Sequence, residues 1–247
     1  MTFKGANSRP VGTVRIGTPV LVGVILLASA PAAVAAVLMN SDGPTRQSTR
    51  NYTSGALVEH LIVVGDHGDV HVIGDPGITT ASVTAILQWS SGPAPKVSQV
   101  LTGSTYAVGY TCGDGGMSGC GVIFTIHVQA EAAVDVTTTD GMVSASAVSG
   151  ALTLATTNGD ITGTNLGAGN ASLKTTNGVV NVQFDGDPLA IAANTTNGDI
   201  DVRTSGKLKY YDVVTVANGN IHPDNVQDRF STHVVTATTV SGNVTVK

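Results

Sequence analysis

The chain has 247 residues, with 12 Lys or Arg against 17 Asp or Glu for a net charge of −5, 30 glycines and only ten aromatic residues. The imbalance is local: residues 1–50 hold five basic residues and one acid, Asp42, whereas the remainder holds seven against sixteen, a net of −9. Between Tyr52 and Val202 the basic residues are Lys96 and Lys174 alone, so no surface there can neutralise a run of phosphates, and nucleic-acid binding is excluded.

In chain order, residues 1–17 form a basic tail containing Lys4, Arg9 and Arg15. Thr18 to Met39 follows, 22 residues without a charge. That length spans a bilayer, and the preceding cations place the N-terminus in the cytoplasm and everything after Met39 outside. A cleavable signal peptide is the alternative, since Ala28-Ser29-Ala30 and Ala33-Val34-Ala35 resemble small-residue cleavage sites. The run exceeds the usual apolar core of a signal, and Pro31 directly follows Ala30, which favours a retained anchor. On either reading the bulk of the chain is exported. Residues 40–55 are polar, contain Pro44 and lack apolar periodicity, and are expected to be a flexible linker.

Residues 56–247 are expected to form one extracytoplasmic all-β domain, rich in Thr, Val and Gly. Its dominant signal is a glycine followed two residues later by an aliphatic side chain. The glycines are Gly68, Gly141, Gly150, Gly159, Gly178, Gly198, Gly219 and Gly242, and the residues after them are Val70, Val143, Leu152, Ile161, Val180, Ile200, Ile221 and Val244. Asn-Gly, Asp-Gly and Ser-Gly supply the positive φ of a tight corner, and alternation after it sends one face inward. Thr-Thr-Asn-Gly recurs at 156–159, 175–178 and 195–198, a full repeat of 19 and then 20 residues. Half-steps at Gly169, Asp187 and Gly206 divide each repeat in two. The pattern predicts a β-solenoid, parallel β-helix-like, in which neighbouring repeats complete one core. An antiparallel meander with Asn-Gly hairpins also gives short strands at such spacing; whole corners recurring at the double spacing favour the solenoid.

Cys112 and Cys120 flank a glycine-rich segment between strand-like Thr105 to Thr111 and Val122 to Val128. A disulfide across that hairpin suits an exported domain; a metal site with His127 is the alternative, although the spacing lacks the paired ligands of structural zinc.

The segment Leu61-Ile62-Val63-Val64-Gly65-Asp66-His67-Gly68-Asp69-Val70-His71-Val72-Ile73-Gly74, the strand-like Gln129 to Val136 and the train of corners to Val246 resemble the bacterial DUF4097 family, whose members are labelled adhesins. The resemblance implies a β-solenoid-like extracytoplasmic domain behind a single membrane anchor. Some relatives sit in cell-envelope stress systems, which supplies a second functional expectation. It implies no catalytic residues.

The chemistry in the sequence is sparse. Nucleophile-elbow, zinc-protease and Walker motifs are lacking. His67, Asp69 and His71 would share a strand face suited to a divalent metal, but Gly68 should turn a corner between them, so no metal or other cofactor is assigned. Asp160 and Asp199 hold equivalent places, yet Met142, Ala151, Val179, Asn220 and Asn243 stand at the others, so neither a calcium roll nor a polysaccharide lyase is indicated. The corners should align Thr156, Thr175 and Thr195 in one column and Asn158, Asn177 and Asn197 in another. The threonines are expected to be structural, with an ordered water- or sugar-binding face as the alternative. Trp89, Tyr210 and Tyr211 are candidate sugar-stacking surfaces, with one of the adjacent tyrosines expected inside.

The resulting expectation is a non-catalytic, membrane-anchored adhesin or envelope-binding protein whose partners are the membrane, through residues 18–39, and cell-wall polysaccharide or an envelope protein. Alternatives are an accessory or sensor of an envelope-stress system and a polysaccharide-acting enzyme.

Overall fold

The computed structural model describes residues 46–112, 119–225 and 227–247. The expected anchor at 18–39 lies outside them. No helix among the described residues is long and apolar enough to cross a membrane.

The described residues form nineteen strands: β1 (Arg46–Leu57), β2 (His60–Val64), β3 (Val70–Asp75), β4 (Thr80–Trp89), β5 (Lys96–Thr102), β6 (Thr105–Thr111), β7 (Gly121–Gln129), β8 (Ala133–Thr137), β9 (Val143–Ser146), β10 (Leu152–Ala155), β11 (Ile161–Leu166), β12 (Ala171–Lys174), β13 (Val180–Phe184), β14 (Ala190–Asn197), β15 (Ile200–Arg203), β16 (Tyr211–Asn218), β17 (Ile221–Pro223), β18 (Val234–Ser241) and β19 (Val244–Val246). Alternation decides which side chains enter the core: Val143 and Ala145 of β9 and Ala171 and Leu173 of β12 are buried, while the residues between them turn outward.

Two sheets result. One has ten strands in the order β1-β4-β7-β3-β9-β11-β13-β15-β19-β17, the other nine in the order β16-β18-β14-β12-β10-β8-β2-β6-β5. Each coil contributes one strand to each sheet, and every coil-to-coil pairing is parallel, as in Leu152↔Ala171 and Ile161↔Val180. This settles the choice between solenoid and meander. Antiparallel pairing is confined to the N-terminal end, where β4 and β1 extend the larger sheet from β7 and β5 extends the smaller from β6.

Spatial order departs from chain order at both ends. The β2–β3 coil lies between the β6–β7 coil and the β8–β9 coil, and the final β18–β19 coil lies between β14–β15 and β16–β17. Coils are stacked in chain order only in the middle. The linker expected at 40–55 is corrected: from Arg46 the chain is already β1, paired with β4 from Arg46↔Trp89 to Thr53↔Ser82. Its polarity reflects an edge strand with little buried surface, not the absence of structure.

The core is a continuous stack between the sheets. Seven of the eight aliphatic residues that follow corner glycines are buried; Ile221 is 45% exposed because β17 belongs to the terminal coil and has no further neighbour. Each such Val, Leu or Ile buried contributes about 1.5–3 kcal/mol.

Candidate functional site

The corner between the two sheets is built as parallel columns, one residue per coil. In the first, Thr156 donates its hydroxyl to the Gly141 carbonyl at 3.1 Å, Thr175 to Gly159 at 2.9 Å and Thr195 to Gly178 at 3.0 Å. All three threonines are buried. They hold one coil to the next and offer no face to water or sugar. Thr239, buried and bonded to the Gly198 carbonyl at 3.0 Å, extends the column. The signal for it was legible: a threonine three residues before a corner glycine, at Gly242 as at Gly159.

The glycines form the second column. A Cβ on Gly159 would lie 2.0 Å from the Gly141 carbonyl oxygen, one on Gly178 1.9 Å from that of Gly159, and one on Gly198 2.0 Å from that of Gly178. Gly68, Gly141, Gly242 and Gly219 meet backbone as closely. The expected reason, positive φ, is thus incomplete: Gly178 does not have a left-handed backbone, and close coil stacking is what excludes its side chain. Gly150 is also reassigned. It belongs to the opposite corner, where it stacks on the Ala132 carbonyl and Gly169 stacks on it, so Leu152 starts a strand of the other sheet.

The third column faces solvent and is the candidate site. Asn197 donates from Nδ2 to Asn177 Oδ1 at 2.8 Å, Asn177 to Asn158 Oδ1 at 2.8 Å, and Asn158 to Asp140 Oδ1 at 2.7 Å. Asp140 Oδ2 in turn lies 2.8 Å from His67 Nδ1. The three asparagines are exposed, and the ladder spans five successive coils. An amide has two N–H donors and an acceptor with two lone pairs, so each asparagine keeps hydrogen-bonding capacity beyond the ladder. These groups repeat at about the 4.8 Å spacing of neighbouring strands.

In the fourth column, acids are used structurally. Asp69 Oδ1 accepts from the Met142 amide at 2.8 Å, Asp160 from the Val179 amide at 2.8 Å and Asp199 from the Asn243 amide at 2.7 Å. Carboxylates thereby alternate with neutral residues from coil to coil, which avoids like charges directly opposite one another. The sequence shows neutral residues at the other places, and only stacking in register turns them into an alternation.

The histidines are separated. His67 meets Asp140, His71 meets Ser144 at 2.7 Å, His60 meets Asp135 at 2.7 Å and His127 meets Asp75 at 2.6 Å. Among the described residues no three His, Cys, Asp or Glu side chains converge as a metal site would need.

A shallow groove of about 320 Å³ crosses the outer face of the larger sheet, lined by Thr162, Gly163, Thr164, Asn181, Gln183 and Arg203. It lies where Asn165 takes a φ of 54° and the β11–β13 register shifts. Arg203 is held there by Asp201, with both contacts at 3.3 Å. Of the adjacent tyrosines, Tyr210 is buried, donates its hydroxyl to the Pro188 carbonyl at 3.1 Å and has its pKa pushed up to about 12 by burial and the charge of Asp187. Tyr211 is outside, and Trp89 packs partly against the core.

Cys112 and Cys120 form a disulfide. The bond does not cross a hairpin, because β6 and β7 belong to different sheets; it ties the end of β6 to the start of β7.

The model of the family described as Toastrack DUF4097 matches residues 116–247. Among solved structures, a cell-adhesion candidate from Clostridium sporogenes ATCC 15579 is 12% identical, with 83% of this chain and 99% of that one covered and a TM-score of 0.47. An adhesin candidate from Bacteroides fragilis NCTC 9343 is 12% identical, with 82% and 96% covered and a TM-score of 0.47. A lipid-binding candidate from Parabacteroides distasonis ATCC 8503 is 12% identical, with 80% and 96% covered and a TM-score of 0.37. No curated protein matches the chain.

Proposed function

We propose a non-catalytic binding function for this chain, which belongs to the Toastrack DUF4097 family. The domain is an extracytoplasmic module of the adhesin kind, held at the membrane by residues 18–39, and its ligand is a hydroxyl-rich polysaccharide of the cell envelope. The observation that carries this reading is the exposed ladder of Asn158, Asn177 and Asn197. A row of amides repeated once per coil on a rigid core matches a polymer that also repeats its donors and acceptors. The corner carboxylates support a non-catalytic role, since Asp69, Asp160 and Asp199 are engaged with backbone amides of the neighbouring coil. The apolar run at 18–39, with Lys4, Arg9 and Arg15 before it, supports the anchor.

The test is co-sedimentation of oxidised residues 41–247, which contain the whole described core, with isolated cell-wall material, while the supernatant is assayed for released sugar. Saturable binding without release is expected, weakened when Asn158, Asn177 and Asn197 are together replaced by alanine. Release of sugar would overturn the non-catalytic reading. Absence of binding would overturn the polysaccharide ligand and leave a membrane-protein partner, for which replacing Thr18 to Met39 by an unrelated span should abolish activity.

A further inference from the structure

The terminal coil breaks the core pattern at one position. By register, the inward residues of the nine-stranded sheet align as Tyr106, Leu61, Val134, Leu152, Ala171, Ile191, Val235 and Asp212. Seven are apolar and the eighth is a carboxylate, only 9% exposed. Both its oxygens are enclosed and neither has a hydrogen-bond partner; the same is true of the side-chain oxygen and nitrogen of Asn225, just after β17. Asn225 is close enough to act on Asp212 through its amide.

The four atoms are complementary in only one protonation state. An ionised Asp212 offers acceptors alone, so the Asn225 oxygen would find no donor there. A protonated Asp212 offers one donor and one acceptor, the counterpart of a primary amide. Its O–H can donate to Asn225 Oδ1 while Asn225 Nδ2 donates to the other carboxyl oxygen, which satisfies all four atoms at once. We propose that Asp212 and Asn225 form a neutral carboxylic acid–amide clasp that fastens the β17–β18 connection to the terminal coil, and that loss of the proton opens it.

What the clasp holds is visible in the surrounding bonds. Asp228 donates its amide to the Tyr210 carbonyl at 3.0 Å, Ser231 its hydroxyl to the Lys209 carbonyl at 2.7 Å, and Tyr210 bridges to Gln227. The same connection presents Phe230, 95% exposed, on a turn braced by the Asp228 carboxylate. Opening would free that turn and uncover Tyr210. The titratable or charged groups on the elements around Asp212 are Lys207, Lys209, Tyr210, Tyr211, His222, Asp224, Asp228, Arg229 and His233, with Asp187 acting on Tyr210. The causes acting on Asp212 are burial, which raises its pKa above the ordinary carboxylate value, and the Asn225 amide, which opposes the rise. A raised folded-state pKa means that the clasp is complete below the ordinary aspartate value near 3.9 and weakens as pH rises through the higher folded value.

Two measurements on the full chain test this. Carboxyl-carbon NMR with 13C-labelled aspartate should show one signal, missing in Asp212→Asn, that still reports a protonated acid at a pH where the exposed aspartates are ionised. Amide-exchange protection across residues 209–233, corrected for intrinsic rate, should fall as that signal titrates, by up to about tenfold per pH unit. In Asp212→Asn, two amides keep a complementary pair without a proton to lose, so protection there should not vary with pH. The proposal is overturned if the Asp212 carboxyl titrates with the exposed aspartates, or if the wild type and Asp212→Asn share one protection profile. Should the variant not fold, the wild-type carboxyl titration decides alone.

Discussion

Gly178→Ala separates two explanations for glycine at the corners. The backbone of Gly178 is not left-handed, so an alanine meets no φ penalty there. Its Cβ would instead stand 1.9 Å from the Gly159 carbonyl oxygen, where ordinary contact begins near 3.4 Å, so the two coils must part by about 1.5 Å. Parting strains the bonds that cross the same corner, namely Gly159 N–H to the Asn177 carbonyl at 3.0 Å and Thr175 Oγ1 to the Gly159 carbonyl at 2.9 Å. Two such bonds at about 1 kcal/mol each, with about 1–3 kcal/mol for overpacking, give a loss of about 3–5 kcal/mol. For a domain of this size that lowers Tm by roughly 10 °C. Gly206→Ala is the control: φ there is +71° and nothing lies within 4 Å of an added Cβ, so left-handed strain alone should cost about 1 kcal/mol. Urea and thermal unfolding of residues 41–247 measure both. If Gly178→Ala is no more destabilising than Gly206→Ala, coil stacking is not what demands glycine.

Thr175→Val keeps shape but leaves the Gly159 carbonyl without its hydroxyl donor, and should cost about 1–2 kcal/mol by urea unfolding, whereas Thr176→Val, on the more exposed side of the corner, should stay within about 0.5 kcal/mol of the wild type. Equal effects would contradict the division between buried and outer threonines. Reducing the Cys112–Cys120 bond, or replacing both cysteines by serine, should lower stability by roughly 2–3 kcal/mol while the far-UV spectrum stays that of a β protein; loss of all sheet signal would show that the bond is needed to form the coils.

Much of the site was legible because it rests on local rules repeated in register. Asn158, Asn177 and Asn197 share an offset from their glycines, and parallel stacking turns equal offsets into a ladder. Asp140 and His67 directly precede corner glycines as well, so the same offset puts them on the ladder; what the sequence does not show is that their side chains pair with each other. The eight corner glycines looked equivalent, yet Gly150 lies in the opposite corner, because a half-repeat carries the same glycine-plus-two pattern. β1 resembles a linker in the sequence because an edge strand that buries little surface needs no apolar alternation.

By itself, the sequence determined the all-β class, the two-strand repeat, the apolar residues that enter the core and the row of corner amides. Those features depend on backbone conformation and alternation, which act within a few residues. Tertiary structure decided the insertion of the β2–β3 and β18–β19 coils out of chain order, the partners of the histidines and corner aspartates, and the enclosure of Asp212 against Asn225. Each of these depends on which distant strand comes to lie alongside, and parallel strands of like alternation accept several neighbours until the ends of the stack are closed.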